Sequence, residues 1–410
     1  MSYSLFTGYK GDFLGDSNIE RLADLILDFS FERVDFRKAW KDNARRLWLR
    51  YKSPADELAR VLTEKIFDRG GNVFLDQIPS WQDYTYFTKA SNDVLKGNPD
   101  LLLYKLNHCA ARLVILSDSN TKSLANVKPG KRTIVSHARR PFSNAAMEVD
   151  IEGNFKTPWC GAIFPTEAYA QDMSMELHEC QEYIYRSMYL DSENPVKIWR
   201  EIAQDQRKMI SNVLSKVKYI TIVDEADDTN LRMSVEGHRW IVSDGHVNFP
   251  SDEIFNAPRK FSVNGVLTFP SLPQYDHGGP EVKGVRLEFE KGKIVKWDSE
   301  AGKDYLDEFL TKNPGGNYLG EVALGRHPRI DRISKQILLD EKMGGTVHFA
   351  LGRAYQLHIL GEKDKSNLNQ SARHWDLIRD MRKNTAYIKL DDETKLVWDK
   401  NSGKWLTHDL

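Results

Sequence analysis

Cysteine is scarce in this sequence: Cys109, Cys160 and Cys180 are the only three among 410 residues, odd in number and widely separated. That excludes a disulfide framework and a cysteine-based metal cluster, and predicts three buried thiols. Excess charge of one sign is missing too, because 58 Lys and Arg stand against 59 Asp and Glu, a formal net charge of −1. Such a chain has no electrostatic footprint for nucleic acid, and short runs such as Arg45-Arg46 and Arg139-Arg140 are too small to create one. No stretch approaches the roughly 18 consecutive apolar residues that a membrane-spanning helix needs. The opening MSYSLFTGYKGDFLGDSNIE lacks a basic start followed by an apolar run, so no secretory signal is expected and a cytoplasmic protein is.

Several signatures are also absent. There is no G-x-x-x-x-G-K-[ST] phosphate loop, and the Gly-Gly pairs that begin at 70, 278, 315 and 344 lack the spacing of a dinucleotide fingerprint. No G-x-S-x-G nucleophile elbow occurs. His178-Glu179 opens like the zinc-protease helix H-E-x-x-H, but Glu182 stands where the second imidazole is required, so the pair is expected on an exposed helical face.

What is present describes a soluble protein of two parts, with 40% hydrophobic and 29% charged residues. In the first half, Leu47 to Leu49 precede Ser53-Pro54-Ala55-Asp56, where serine can cap and proline fits a first helical turn. Leu58, Leu62 and Ile66 then recur at helical spacing, Gly70-Gly71 stops the helix and Val73 to Leu75 resumes as a strand, a β-α-β unit. Val114 to Leu116 and Ile134-Val135 are further strand candidates. The fold class expected is α/β, a twisted sheet flanked by helices over residues 1–205, followed by a strand-rich α+β metal-binding part over 206–410. A helical stretch from Thr166 to Leu214, broken near Asn194-Pro195, links them. From Tyr219 the pattern turns to period two (Ile220, Ile222; Leu231, Met233, Val235). Hairpins are expected at Val285–Val295 through Lys291-Gly292 and at Leu396–Leu406 through Asn401-Ser402-Gly403.

The chemistry sits in the second half. In TVHFAL, Val347, Phe349 and Leu351 share one face of a strand and His348 points to the other. In YLGEVALG, simple alternation puts Leu319, Glu321 and Ala323 on one face, a costly place for a carboxylate unless it is paired or metal-bound. His374 and Asp376 in SARHWDL project to the same side of an extended backbone, and Glu253 lies between two prolines in NFPSDEIFNAP. Two imidazoles and three carboxylates are the donors that a pair of hard-to-borderline divalent cations takes. Each segment has a plainer reading. A histidine on a strand is more often a satisfied structural residue, Glu321 can pair with Arg326, and Glu253 beside Asp252 can belong to a solvated turn.

Together NFPSDEIFNAP, YLGEVALG, LLDEKMGGTVHFALGRAY and SARHWDLIRDM, in that order, resemble the thermophilic aminopeptidase family of dinuclear metallopeptidases, the aminopeptidase T and S type. A weaker likeness runs through LVILSDSN, VKPGK and FPTEAYAQDMSM. The resemblance implies that Glu253, Glu321, His348, His374 and Asp376 bind two divalent ions, zinc, cobalt, manganese or magnesium, and that Tyr355 belongs to the site. It implies removal of N-terminal residues from peptides, with Glu321 as bridging carboxylate, Tyr355 as oxyanion donor and Glu341 as acceptor or proton carrier. It also implies a homodimer with enclosed sites, for which Trp297, Trp375, Trp398 and Trp405 were candidate interface rings. The segment 356–370 is longer and more charged than this family leads one to expect, which bears on the pocket rim. Two rival readings remain: a mononuclear iron ring-cleaving dioxygenase using His348, His374 and Asp376 as a facial triad, and a non-catalytic binding protein on the same fold.

Overall fold

The strand Leu47–Tyr51 is followed by a single 3-10 turn, Ser53–Ala55, and the helix Asp56–Asp68, which buries Leu58, Leu62 and Ile66 and carries Asp56 and Glu57 in its first turn. Val73–Gln77 then pairs parallel with Leu47–Tyr51, completing the expected β-α-β unit. Ser53 does not cap the helix; its hydroxyl accepts a hydrogen bond from Gln77 Nε2 instead. These are features of a computed structural model that describes residues 16–36, 46–150, 152–276, 279–359 and 365–409. The first fifteen residues, Arg45, Gly278 and positions 360–364 of the charged segment lie outside it.

Ala111–Leu116, Trp159–Ile163 and Asn248–Phe249 extend this pair into a five-stranded parallel sheet ordered 73–77, 47–51, 111–116, 159–163, 248–249. Ile134 and Val135, expected as a strand, lie in the helix Pro129–Ala138. Proline in the first turn presets φ for a helix, and two β-branched residues are too short a run to oppose it. The helical stretch expected from Thr166 comprises Glu167–Met173, Leu177–Ser187 and Pro195–Asn212. Its break at Asn194 is real, since that side chain caps the last helix by accepting from the Lys197 N–H at 3.0 Å. A second break at Ser174 precedes a Glu176–Glu179 capping box, and His178 and Glu179 are exposed there. All three cysteines are buried and free.

Position 205 falls within the helix Pro195–Asn212, which leads into an eight-stranded antiparallel sheet ordered 293–298, 285–290, 264–269, 230–234, 219–224, 386–390, 394–399, 404–409. Both expected hairpins are in it, one turning through Lys291 and Gly292 at φ 47° and 83°. A second antiparallel sheet of five strands is ordered His374–Asp380, Thr346–Gly352, Leu319–Gly325, Glu253–Asn256, Ile241–Ser243. Leu267, Phe269 and Leu287 of the larger sheet share a core with Val322, Phe349 and Trp375 of the smaller. Trp375, Trp398 and Trp405 are buried in that core, and Trp297 packs against it, so these rings fill the chain's own interior rather than a subunit interface.

One irregularity sets the outer face of the smaller sheet. Leu319 pairs with Leu351 and Glu321 with Ala350, so Gly320 is an extra residue in the strand. The bulge sends Leu319 into the apolar core and leaves Glu321 on the opposite face, which corrects the simple alternation that put both on one side. Only glycine fits the bulge, because a Cβ there would lie 2.3 Å from the Arg353 carbonyl oxygen and 2.5 Å from that of Gly352. Gly320→Ala should destabilise the fold by about 1–3 kcal/mol through forced backbone displacement. Denaturant unfolding checks this, and an unchanged midpoint would contradict it.

Candidate metal centre

The register of the smaller sheet brings the five predicted ligands to one face. Glu253 stands opposite Gly325, Glu321 and Asp376 flank Ala350, His348 is opposite Ala323, and His374 is opposite Gly352. These neighbours are alanine or glycine, while on their other flanks Glu253 faces Ser243 and His348 faces Ile378. The functional side chains therefore have room to converge, while Val347, Phe349 and Leu351 anchor the opposite face as expected. Glu253 follows Asp252, whose φ of 122° is a strained value for a residue with a side chain. That conformation is held by Gln206 Nε2 on the Asp252 carboxylate at 2.9 Å and by the Arg326 N–H on its carbonyl at 3.0 Å. Asp252 and Glu253 are both buried, which removes the solvated-turn reading, and Arg326 pairs with Asp205 rather than Glu321.

Each imidazole is oriented from behind. His348 Nδ1 donates to the Glu341 carbonyl at 3.0 Å and His374 Nδ1 to the Arg353 carbonyl at 2.7 Å, which leaves both Nε2 atoms facing the carboxylates. His348 Nε2 lies 3.2 Å from Glu321 Oε1 and 3.5 Å from Glu253 Oε2; His374 Nε2 lies 3.1 Å from Asp376 Oδ1. Donor atoms of Glu321, His374 and Asp376 fall within 4.8 Å of one another, and so do those of Glu341, His348 and Asp376. Two overlapping donor groups thus share Asp376. Tyr355 is half-buried with its ring 5.0 Å from that of His374.

Lys342 is the residue that sequence reasoning missed. It is 1% exposed, and its ammonium meets Glu253 Oε1 at 2.6 Å and the Glu341 carboxylate. The available signal was a charged residue between an apolar turn and Gly344-Gly345, directly after Glu341. The site remains over-supplied with acid: Glu253, Glu321, Glu341 and Asp376 face one lysine and two imidazoles. Burial pushes Glu321 up, and burial pushes Glu341 up to about 7 despite the Lys342 charge. Burial alone would depress His348, yet its hydrogen bond to Glu321 and the charges of Glu253 and Asp376 hold it at about 9. Asp376, opposed by burial, is drawn down to about 2 by His374 and His348. Buried Glu253 Oε2 accepts no hydrogen bond among the described residues, and Asp376 Oδ1 accepts no well-aligned one although it faces His374 Nε2 at 3.1 Å. Unpartnered oxygens beside two imidazoles whose Nε2 protons a metal can displace are a donor set that divalent cations satisfy, so the residues present fit a metal.

Glu253, Glu321, Glu341, His374 and Asp376 line a cavity of about 1120 Å³ that is also lined by Phe155 and Trp159 from the first half of the chain and by Trp240 and Phe255 from the second. It is large enough for a short peptide.

Comparison with known proteins gives the same chemistry. Residues 16–405 match a family described as thermophilic metalloprotease (M29). The chain is 25% identical over 406 residues to aminopeptidase AmpS of Bacillus subtilis, covering 92% of this chain and 90% of that one. It is 27% identical over 390 residues to aminopeptidase T of Thermus thermophilus, covering 88% of each. The solved structure of wild-type AmpT from Thermus thermophilus superposes with a TM-score of 0.72 at 23% identity, over 95% of this chain and 97% of that one, and so shares the fold. With its family match running almost end to end, this chain belongs to the thermophilic metalloproteases of family M29.

Proposed function

We propose that this metallopeptidase is an aminopeptidase that removes N-terminal residues from peptides with two divalent ions, held by Glu253, Glu321, His348, His374 and Asp376. The observation that carries the reading is a pair of overlapping donor groups, Glu321, His374 and Asp376 and then Glu341, His348 and Asp376, with the unpartnered Oε2 of Glu253 3.5 Å from His348 Nε2. Asp376 is common to both groups, and Glu321 touches His348 while grouping with His374, so these two carboxylates are the ones two ions would share. Oxygen and nitrogen donors suit zinc, cobalt, manganese or magnesium. Bound there, such ions supply a water acidified toward neutrality and a Lewis acid for the scissile carbonyl.

The chain's own residues supply the rest. Glu341, a carboxyl raised by burial and held by Lys342, takes the proton of the attacking water and passes it to the leaving amine. Lys342 positions Glu341 and Glu253 and balances part of their charge. The Tyr355 hydroxyl donates to the oxyanion. A substrate's free amine would bind an ion or one of the carboxylates at this end of the cavity, which restricts cleavage to chain ends. The facial-triad alternative leaves the buried Glu253 and Glu321 without a task, so the observations favour hydrolysis.

The two-part division at 205/206, a cytoplasmic location and a homodimer enclosing its sites belong to the same proposal. No described helix is long and apolar enough to cross a membrane. Trp81, Leu101 and Tyr104, each more than half exposed on the first half, supply apolar surface for a subunit contact.

Hydrolysis of an amino acid amide or anilide should be lost on chelation and restored by zinc, cobalt or manganese. One tightly held iron per chain, with oxygen consumed on a dihydroxypyridine, would contradict this. Glu321→Gln should abolish most activity and lower the metal content while leaving the unfolding transition in place, since an amide is a poor bridge between cations. Tyr355→Phe should keep its metals and lose roughly a hundredfold to a thousandfold in turnover. Near-normal turnover would remove Tyr355 from the mechanism.

A further inference from the structure

The charged side chains around the cavity are mostly spoken for. Arg207 pairs with Asp244 at 3.3 Å, Asp244 with His246 at 2.8 Å, and Arg33 donates to Asn154 at 3.0 Å. Arg239 lines the same cavity and is exposed, and its guanidinium meets no acid or other acceptor among the described residues of that cavity. Its backbone, by contrast, is fixed. The Arg239 N–H donates to the His358 carbonyl at 2.9 Å, and the Arg239 carbonyl accepts from His358 Nδ1 at 3.0 Å, His358 itself being buried.

The sheet register says where this cation stands relative to the metal ligands. Ile241 pairs with Phe255 and Phe255 with Ala323, so the three form one row across the sheet. Arg239 precedes Ile241 by two residues and Glu321 precedes Ala323 by two. Arg239 itself precedes the paired strand Ile241–Ser243; continued as extended chain it would stand on the face of Glu321, two strand spacings or ~10 Å away, and it lines the same cavity. We propose that Arg239 is a specificity-determining residue that receives the C-terminal carboxylate of dipeptide and tripeptide substrates.

This inference rests on the aminopeptidase reading and adds a substrate class to it. With the scissile carbonyl at the ligand cluster, the carboxylate of a dipeptide or tripeptide lies one or two residues further on, about 3.3–3.6 Å each. The side chain of Arg239 spans the remaining gap. A planar guanidinium suits a carboxylate, which it binds through two parallel hydrogen bonds, and an anchored backbone reduces the ordering cost of binding. A peptide with its amine among the carboxylates and its carboxylate at Arg239 matches the cavity's charges at both ends.

The test uses the full metal-loaded chain and matched substrates, Leu-Gly and Leu-Gly-Gly against their C-terminal amides. Arg239→Ala should raise KM for the free acids by about ten- to a hundredfold, leave kcat nearly unchanged and leave the amides unaffected. Arg239→Lys should recover part of the loss. Equal losses on acids and amides, or no loss on either, would overturn the assignment of Arg239 while the aminopeptidase reading stands. A wild-type chain that cleaves neither acids nor amides would overturn both.

Discussion

Everything at this site follows from one electrostatic imbalance. Four carboxylates, Glu253, Glu321, Glu341 and Asp376, converge in a buried space where, among the described residues, they meet one lysine and two imidazoles. Buried charge without a partner is expensive, and the protein answers with raised carboxyls at Glu321 and Glu341 and raised imidazoles at His348 and His374. Protons redistributed in this way only reduce the cost. Divalent cations held there would remove it, replacing shared protons with fixed charge and satisfying the unpartnered oxygens of Glu253 and Asp376.

The scaffold concentrates those groups by means of small residues and one bulge. An alanine or glycine on at least one flank of each of the five residues leaves volume on the outer face, and the core of Phe349, Leu351 and Trp375 behind holds the strands still. Gly320 reverses the direction of its strand's alternation between an apolar anchor and a metal ligand within two residues. Asp252 does comparable work for Glu253 by holding a strained backbone just before it. The parallel sheet contributes from a distance: its edge strand Asn248–Phe249 runs into the segment bearing Glu253, and Phe155 and Trp159 complete the cavity wall.

The parts of this arrangement legible in sequence were those with a local rule. Period-two runs located the strands of His348 and His374, the Lys291-Gly292 turn located a hairpin, and Pro195 located a helix start. Long-range facts were not legible. The Gly320 bulge depends on how Arg353 passes over the strand, and Ile134-Val135 looked like a strand until Pro129 opened a helix beneath it. Lys342 carries no motif of its own; its role is fixed by Glu253, 89 positions away, and appears only when the sheet is folded. The ordered motifs did pick out five residues that share one sheet face, because side chains on strands leave a periodic trace that a buried lysine does not.

The central claim is that one sheet face holds two cations bridged by shared carboxylates. Anomalous diffraction from crystals grown with zinc or cobalt tests it most directly. The account predicts two peaks on this face, one among Glu321, His374 and Asp376 and the other beside His348 with Glu253 or Glu341, with Asp376 reaching both. A single peak held by His348, His374 and Asp376 alone, or peaks elsewhere on the molecule, would contradict it.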